Sequence, residues 1–150
     1  MIDRILPQRI DNTHRGHPLA LWLFIPVVVL KTGIALGTMF NGRDAAQSAD
    51  GIPLDRFGPG GAETVVALFA IWGLSQLVLS LLSVLALIRY RAMIPLLYVV
   101  LLLEHLARRW VLLAKPIPGT GTPPGVYINL VLLALMIAGL ALSLRAERSS

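Results

Sequence analysis

Four apolar stretches alternate with short polar connections, and each is long enough to cross a bilayer as a helix. The pattern predicts helices over about 19–40, 62–88, 92–114 and 126–144. Within the second, Gly73, Gln76, Ser80 and Ser83 recur at helical spacing, so one face carries small and polar residues. In lipid that is the face that packs against other helices. Gly33 and Gly37 in the first stretch, and Ala134 and Ala138 in the last, make two further small-residue faces. Trp22 and Phe24 suit a membrane-surface position.

The connections differ in kind. Residues 1–18 are polar and basic, with Ile2, Ile5, Leu6 and Ile10 forming one apolar stripe on a short helix interrupted by Pro7. Such a helix can lie in the membrane interface, and a solvated tail is the plain alternative. Residues 41–61 form a long outer loop rich in Gly, Asp and Pro. Its Ile52, Leu54 and Phe57 point to a lid folded back onto the helices, and a mobile tether is the alternative. Arg89-Tyr90-Arg91 is a tight basic turn, which makes the second and third helices an antiparallel hairpin. Lys115 to Gly125 cannot continue a helix.

The predicted fold is therefore all-α, a polytopic integral membrane four-helix bundle, with 1–150 as a single membrane domain. Composition agrees: 56% of residues are apolar and 14% charged, against about 25% charged in a soluble domain. Arg4, Arg9, Arg15, Arg89, Arg91, Arg145 and Arg148 fall on one side. Arg43, Arg56 and Lys115 fall on the other, joined by Arg108 and Arg109 if these reach the boundary. That excess predicts both termini in the cytoplasm, and the expected location is a bacterial inner (plasma) membrane. A cleavable signal is not expected, since the first apolar run contains Lys31 and lacks a small-residue cleavage site.

Charge inside the apolar runs is the chemistry that remains. Ionisable groups in a span are costly when they face lipid, so each should find a partner or a cavity. Counted from the cytoplasmic ends, Lys31, Gln76 and Glu104 all lie roughly 18 Å deep. His105 is level with them, Arg108 and Arg109 are one turn further out, and Asn129 comes in from the outer end of the last helix. Lys31 and Glu104 are the natural interhelical ion pair, and Glu104–Arg108 and His105–Arg109 stand four residues apart. The expectation is a polar pocket in the outer half of the bilayer for an amphiphilic or anionic molecule, such as a lipid head group or a quinone-like ring. Lys31, Arg108 and Arg109 would supply positive charge, with Gln76 and Asn129 orienting the ligand. If the site does chemistry, Glu104 and His105 are its acid–base pair.

Two other readings stand beside this one. The polar level can serve only to fix helix register in a non-catalytic accessory subunit, or it can line the path of a proton-coupled carrier. Membrane lipid, an amphiphilic small molecule, a second copy or a larger membrane complex are the partners these readings imply. Nucleic acid is not among them, because the basic residues are scattered over ends and loops. The absence of cysteine excludes disulfides and thiolate ligands within the chain. His14 and His17 form an H-x-x-H beside Asp11, but Arg15 disfavours a cation there, so no metal site is expected. Ser75, Ser80 and Ser83 lack a nearby base on their helix and read as packing hydroxyls.

Overall fold

The computed structural model describes residues 2–117 and 122–145. Among the described residues 81% are helical and none lies in a strand. A short α1 (Ile2–Ile5) precedes the long α2 (Pro18–Phe40), and α3 (Gly42–Asp44) opens the outer loop. Three long helices follow: α4 (Pro59–Arg89), α5 (Ile94–Ala114) and α6 (Pro124–Leu144). α2, α4 and α6 are each long and apolar enough to cross a membrane, which marks an integral membrane protein. α5 is 21 residues long but carries Glu104, Arg108 and Arg109. Glu147 and Arg148, the last charges read from the sequence, lie outside the described residues.

Proline sets the helix starts. Each of the four long helices has one in its first turn, at Pro18, Pro59, Pro95 and Pro124. There its missing N–H costs nothing and its fixed φ suits the helix. α4 and α6 accordingly start at Pro59 and Pro124, earlier than the 62 and 126 expected from hydropathy. α5 starts later than expected, at Ile94, because Arg91–Met93 form a tighter 3-10 turn. At the start of α2, His17 Nδ1 accepts from the Leu19 N–H (3.2 Å).

α2 packs along α4 and α6, and α5 packs along α6. Phe24, Val27, Tyr98, Leu101, Leu132 and Met136 fill the space between them. Tyr98 fastens three helices at once. Its ring meets Phe24 edge-on at 4.9 Å, and its hydroxyl donates to the Ala20 carbonyl at 2.8 Å. It lies against Gly139, where a Cβ would fall 2.2 Å from the ring. Tyr98→Phe is expected to lower stability by about 1 kcal/mol, one interhelical hydrogen bond. Reversible unfolding in mixed micelles reads this directly; an unchanged midpoint would mean that the Ala20 bond adds nothing.

Several faces differ from expectation. Phe24 is 0% exposed and belongs to the core, while Trp22, 66% exposed, keeps a membrane-facing place. Among the described residues nothing lies within 4 Å of a Cβ built at Gly33 or Gly37, so no described residue packs on that face there. The close approach is made by Gly73 instead, where a Cβ would lie 2.5 Å from the Met39 nitrogen. In α6 the buried face is Leu132, Met136, Gly139 and Ser143, whereas Ala134 and Ala138 are exposed. The α4 stripe is inward as expected, with Gly73, Gln76, Ser80 and Ser83 all buried.

The loop between α2 and α4 is folded, not extended. Past α3 it makes a wide π turn (Ala45–Ala49) and a 3-10 turn (Leu54–Arg56). Gly51 supplies the left-handed φ of 70° between them. Ile52 and Leu54 are buried with Ala46 and Ala62 against Val65, Val66 and Phe69, which is the lid the sequence predicts. Phe57 departs from that prediction at 43% exposure. An Arg43–Glu63 ion pair ties the loop to α4 at the surface.

The N-terminal segment is docked across helix ends. Arg4 donates to the Leu144 carbonyl at the end of α6 (2.8 Å), where a cation also suits the helix dipole. The His17 N–H donates to the Leu142 carbonyl (3.2 Å), and the Ala92 N–H donates to the Asp11 carbonyl (3.2 Å).

Candidate functional site

Glu104, on α5, is the hub of the polar level. Lys31 Nζ on α2 donates to Oε2 at 2.8 Å, and Gln76 Nε2 on α4 donates to Oε1 at 3.0 Å. Three helices thus meet at one carboxylate, at the depth where residue counting places all three. Lys31 is only 6% exposed, so its stem runs inward to the acid. The approach of α2 to α4 at Gly73 brings Lys31 and Gln76 to the same acid.

A second knot lies one turn further out. Arg108 Nη2 donates to Asn129 Oδ1 on α6 (3.0 Å). The guanidinium lies 5.1 Å from the centre of the Trp72 ring on α4, within cation–π range. Arg108 Nε stands 3.7 Å from Glu104 Oε1, close enough for attraction but too long for a hydrogen bond. Nε is accordingly buried without a hydrogen-bond partner among the described residues. Glu104 therefore faces two cations, and its close contacts are with Lys31 and Gln76.

His105 is buried beside this knot, and its Nδ1 has no described hydrogen-bond partner. The expected pairing with Arg109 is not made, and Arg109 is exposed. A carboxylate already holding two donors is poorly placed to trade protons, so among the sequence candidates the imidazole is the freer group.

Two cavities adjoin these residues. The inner one, about 80 Å³, is lined among others by Lys31, Trp72, Gln76, His105, Arg108 and Asn129. That is room for a few water-sized groups or the end of a small molecule. The outer one, about 280 Å³, shares Asp50, His105, Arg108 and Asn129 with the first and adds Arg109, Leu112 and Val126. Its size approaches the roughly 300 Å³ at which small-molecule sites begin. All seven residues expected at the site except Glu104 line one cavity or the other, and Glu104 stands behind them as the anchor.

Asp50 and Trp72 were not foreseen from the sequence. Asp50 reaches the site because the outer loop folds back, and the Asp50-Gly51 turn was the visible signal. The residue is exposed overall. Withdrawal of its carboxyl from bulk water still pushes its pKa up from the ordinary value, and Arg108 pulls it down by a lesser amount.

The remaining candidates have local roles. Asp11 is held by Arg15 at 2.7 Å, and His14 Nε2 is 3.3 Å from the His17 carbonyl. Burial pushes the His14 pKa down. Ser75 and Ser83 donate back to the Ile71 and Leu79 carbonyls of their own helix, at 3.2 and 2.9 Å.

Fold and site together define a polytopic helical membrane protein with a buried polar cluster. Comparison with known proteins gives no match to a family model, a curated protein or a solved structure.

Proposed function

We propose that the chain is a four-helix membrane bundle with both termini in the cytoplasm, in a bacterial inner (plasma) membrane. We propose further that its outer half binds an anionic or amphiphilic small molecule, a lipid head group or quinone-like ring. α5 counts as a span on length, about 31 Å at 1.5 Å per residue. Its Glu104 and Arg108 are partnered inside the protein, and Leu103, Leu106, Trp110 and Leu113 face outward. The arginine excess on the side of the termini supports the orientation.

One observation carries the binding reading: Arg108 and His105 sit in the wall shared by the two cavities, the first short of one hydrogen bond and the second with an unpartnered nitrogen. Polar groups kept in that condition in a bilayer mark a functional site. Arg108 and Arg109 supply charge, Asn129 orients, and His105 is the group placed to exchange a proton. Glu104 and Lys31 hold the frame.

The test is to purify the protein in a mild detergent and measure small molecules that stay bound by native mass spectrometry. Wild type is expected to retain an adduct that Arg108→Gln reduces at least about tenfold, the loss of one charge-assisted hydrogen bond. Ser75→Ala should keep it. Equal retention in Arg108→Gln and wild type would remove the site. The accessory-subunit reading is favoured by one fact, that Glu104 already has a donor on each oxygen. It expects no adduct at all.

A further inference from the structure

The charge balance of the outer cavity narrows the ligand. Lys31 and Gln76 satisfy Glu104 from inside, so its charge is largely spent there. Arg108 and Arg109 then line a cleft whose other charged group is Asp50. Two guanidinium groups against one carboxylate leave an excess positive charge, which calls for an anion. A quinone ring is neutral and does not supply one. Apart from Asn129 and His105 the rest of the wall is apolar, with Leu112, Ile117 and Val126 on one side. His105, 4% exposed and with Nδ1 unpartnered among the described residues, lines the same cleft. A donor-rich end and an apolar side fit a molecule with an oxyanion at one end and a hydrocarbon tail at the other. Guanidinium forks suit the oxygens of a phosphate.

We propose that the outer cleft binds the phosphodiester of a membrane phospholipid whose head group has a net negative charge. Arg108 and Arg109 pair with the phosphate oxygens, the imidazole N–H of His105 adds a donor, and the tail lies over Leu112, Ile117 and Val126. This rests on the reading that the cavity is a binding site, and it selects the lipid from the ligands that reading allows.

The chain itself offers the reporter. Of its three tryptophans, Trp22 and Trp110 are exposed. In a Trp22→Phe/Trp110→Phe background, Trp72 under the Arg108 guanidinium is the sole emitter. In neutral detergent micelles, phosphatidylglycerol is expected to give a saturable change in Trp72 emission. Phosphatidylcholine and inorganic phosphate should each need at least about ten times the concentration. Arg108→Gln, Arg109→Gln and His105→Gln should each weaken the phosphatidylglycerol response at least about tenfold, with elution as a single folded species unchanged.

Inorganic phosphate acting at the same concentration as phosphatidylglycerol would overturn the lipid and leave a free anion as the ligand. Loss with Arg109→Gln alone would overturn the cleft in favour of general surface attraction. If phosphatidylglycerol fails while an isoprenoid benzoquinone raises the unfolding temperature in an Arg108-dependent way, the lipid inference falls and the binding site stands. If no probe gives a saturable response, both fall.

Discussion

Lys31→Met, with Glu104 left in place, is expected to cost about 3 to 5 kcal/mol of unfolding free energy. The pair lies 2.8 Å apart, with side chains only 7% and 19% exposed, so removing the lysine strands a carboxylate among helices. Gln76 at 3.0 Å and Arg108 at 3.7 Å soften the loss and place it toward the lower end of that range. Changing both members, Lys31→Met with Glu104→Leu, should recover most of it, because two apolar groups no longer need each other. A double-mutant cycle from equilibrium unfolding should therefore give a coupling of at least about 2 kcal/mol. A coupling near zero would show that the two charges are indifferent to one another. The double variant also separates the two functional readings: a binding site depends on this frame, whereas an accessory subunit needs only its packing.

The second large effect is expected at Gly73. Its would-be Cβ meets the Met39 nitrogen at 2.5 Å, the Met39 Cα at 2.9 Å and the Ala35 carbonyl oxygen at 3.0 Å. These are backbone atoms of α2, so no side chain can turn aside to make room. Gly73→Val should force α2 and α4 apart, at about 3 kcal/mol or more. It should also stretch the Lys31–Glu104–Gln76 contacts one turn away. Gly37→Ala is the matched control, since no described atom lies within 4 Å of a Cβ there. It should leave the unfolding midpoint where it is. The reverse order of effects would mean that α2 uses its Gly33–Gly37 face, against a second copy or another subunit.

Polarity was the legible part of this sequence. Gly73, Gln76, Ser80 and Ser83 stand out in an aliphatic helix, and all four are buried. Lys31, Gln76 and Glu104 could be matched by counting turns, because a charge in a span has few places to go. Helix rotation away from those residues was not legible. In lipid the inward and outward faces are both apolar, so hydropathy cannot tell whether Gly33 or Gly73, Ala138 or Gly139, meets a neighbour. Tyr98 decides the last case by occupying the slot at Gly139, a contact between residues far apart in sequence. Asp50 escaped notice for a related reason. Ile52 and Leu54 foretell that the loop folds back, but not that the fold sets Asp50 in the wall with Arg108.

α4 has 31 residues, or about 46 Å of helix at 1.5 Å per residue, against a hydrocarbon layer of about 30 Å. In the proposed orientation, with its inner end at the boundary, its first few turns rise above the waterline like a post. The outer loop leans on that post through Val65, Val66 and Phe69, and Asp50 hangs from the loop into the cleft. A thicker membrane would draw the post down and submerge the loop with it. On that reading, bilayer thickness is mechanically linked to how the cleft is roofed.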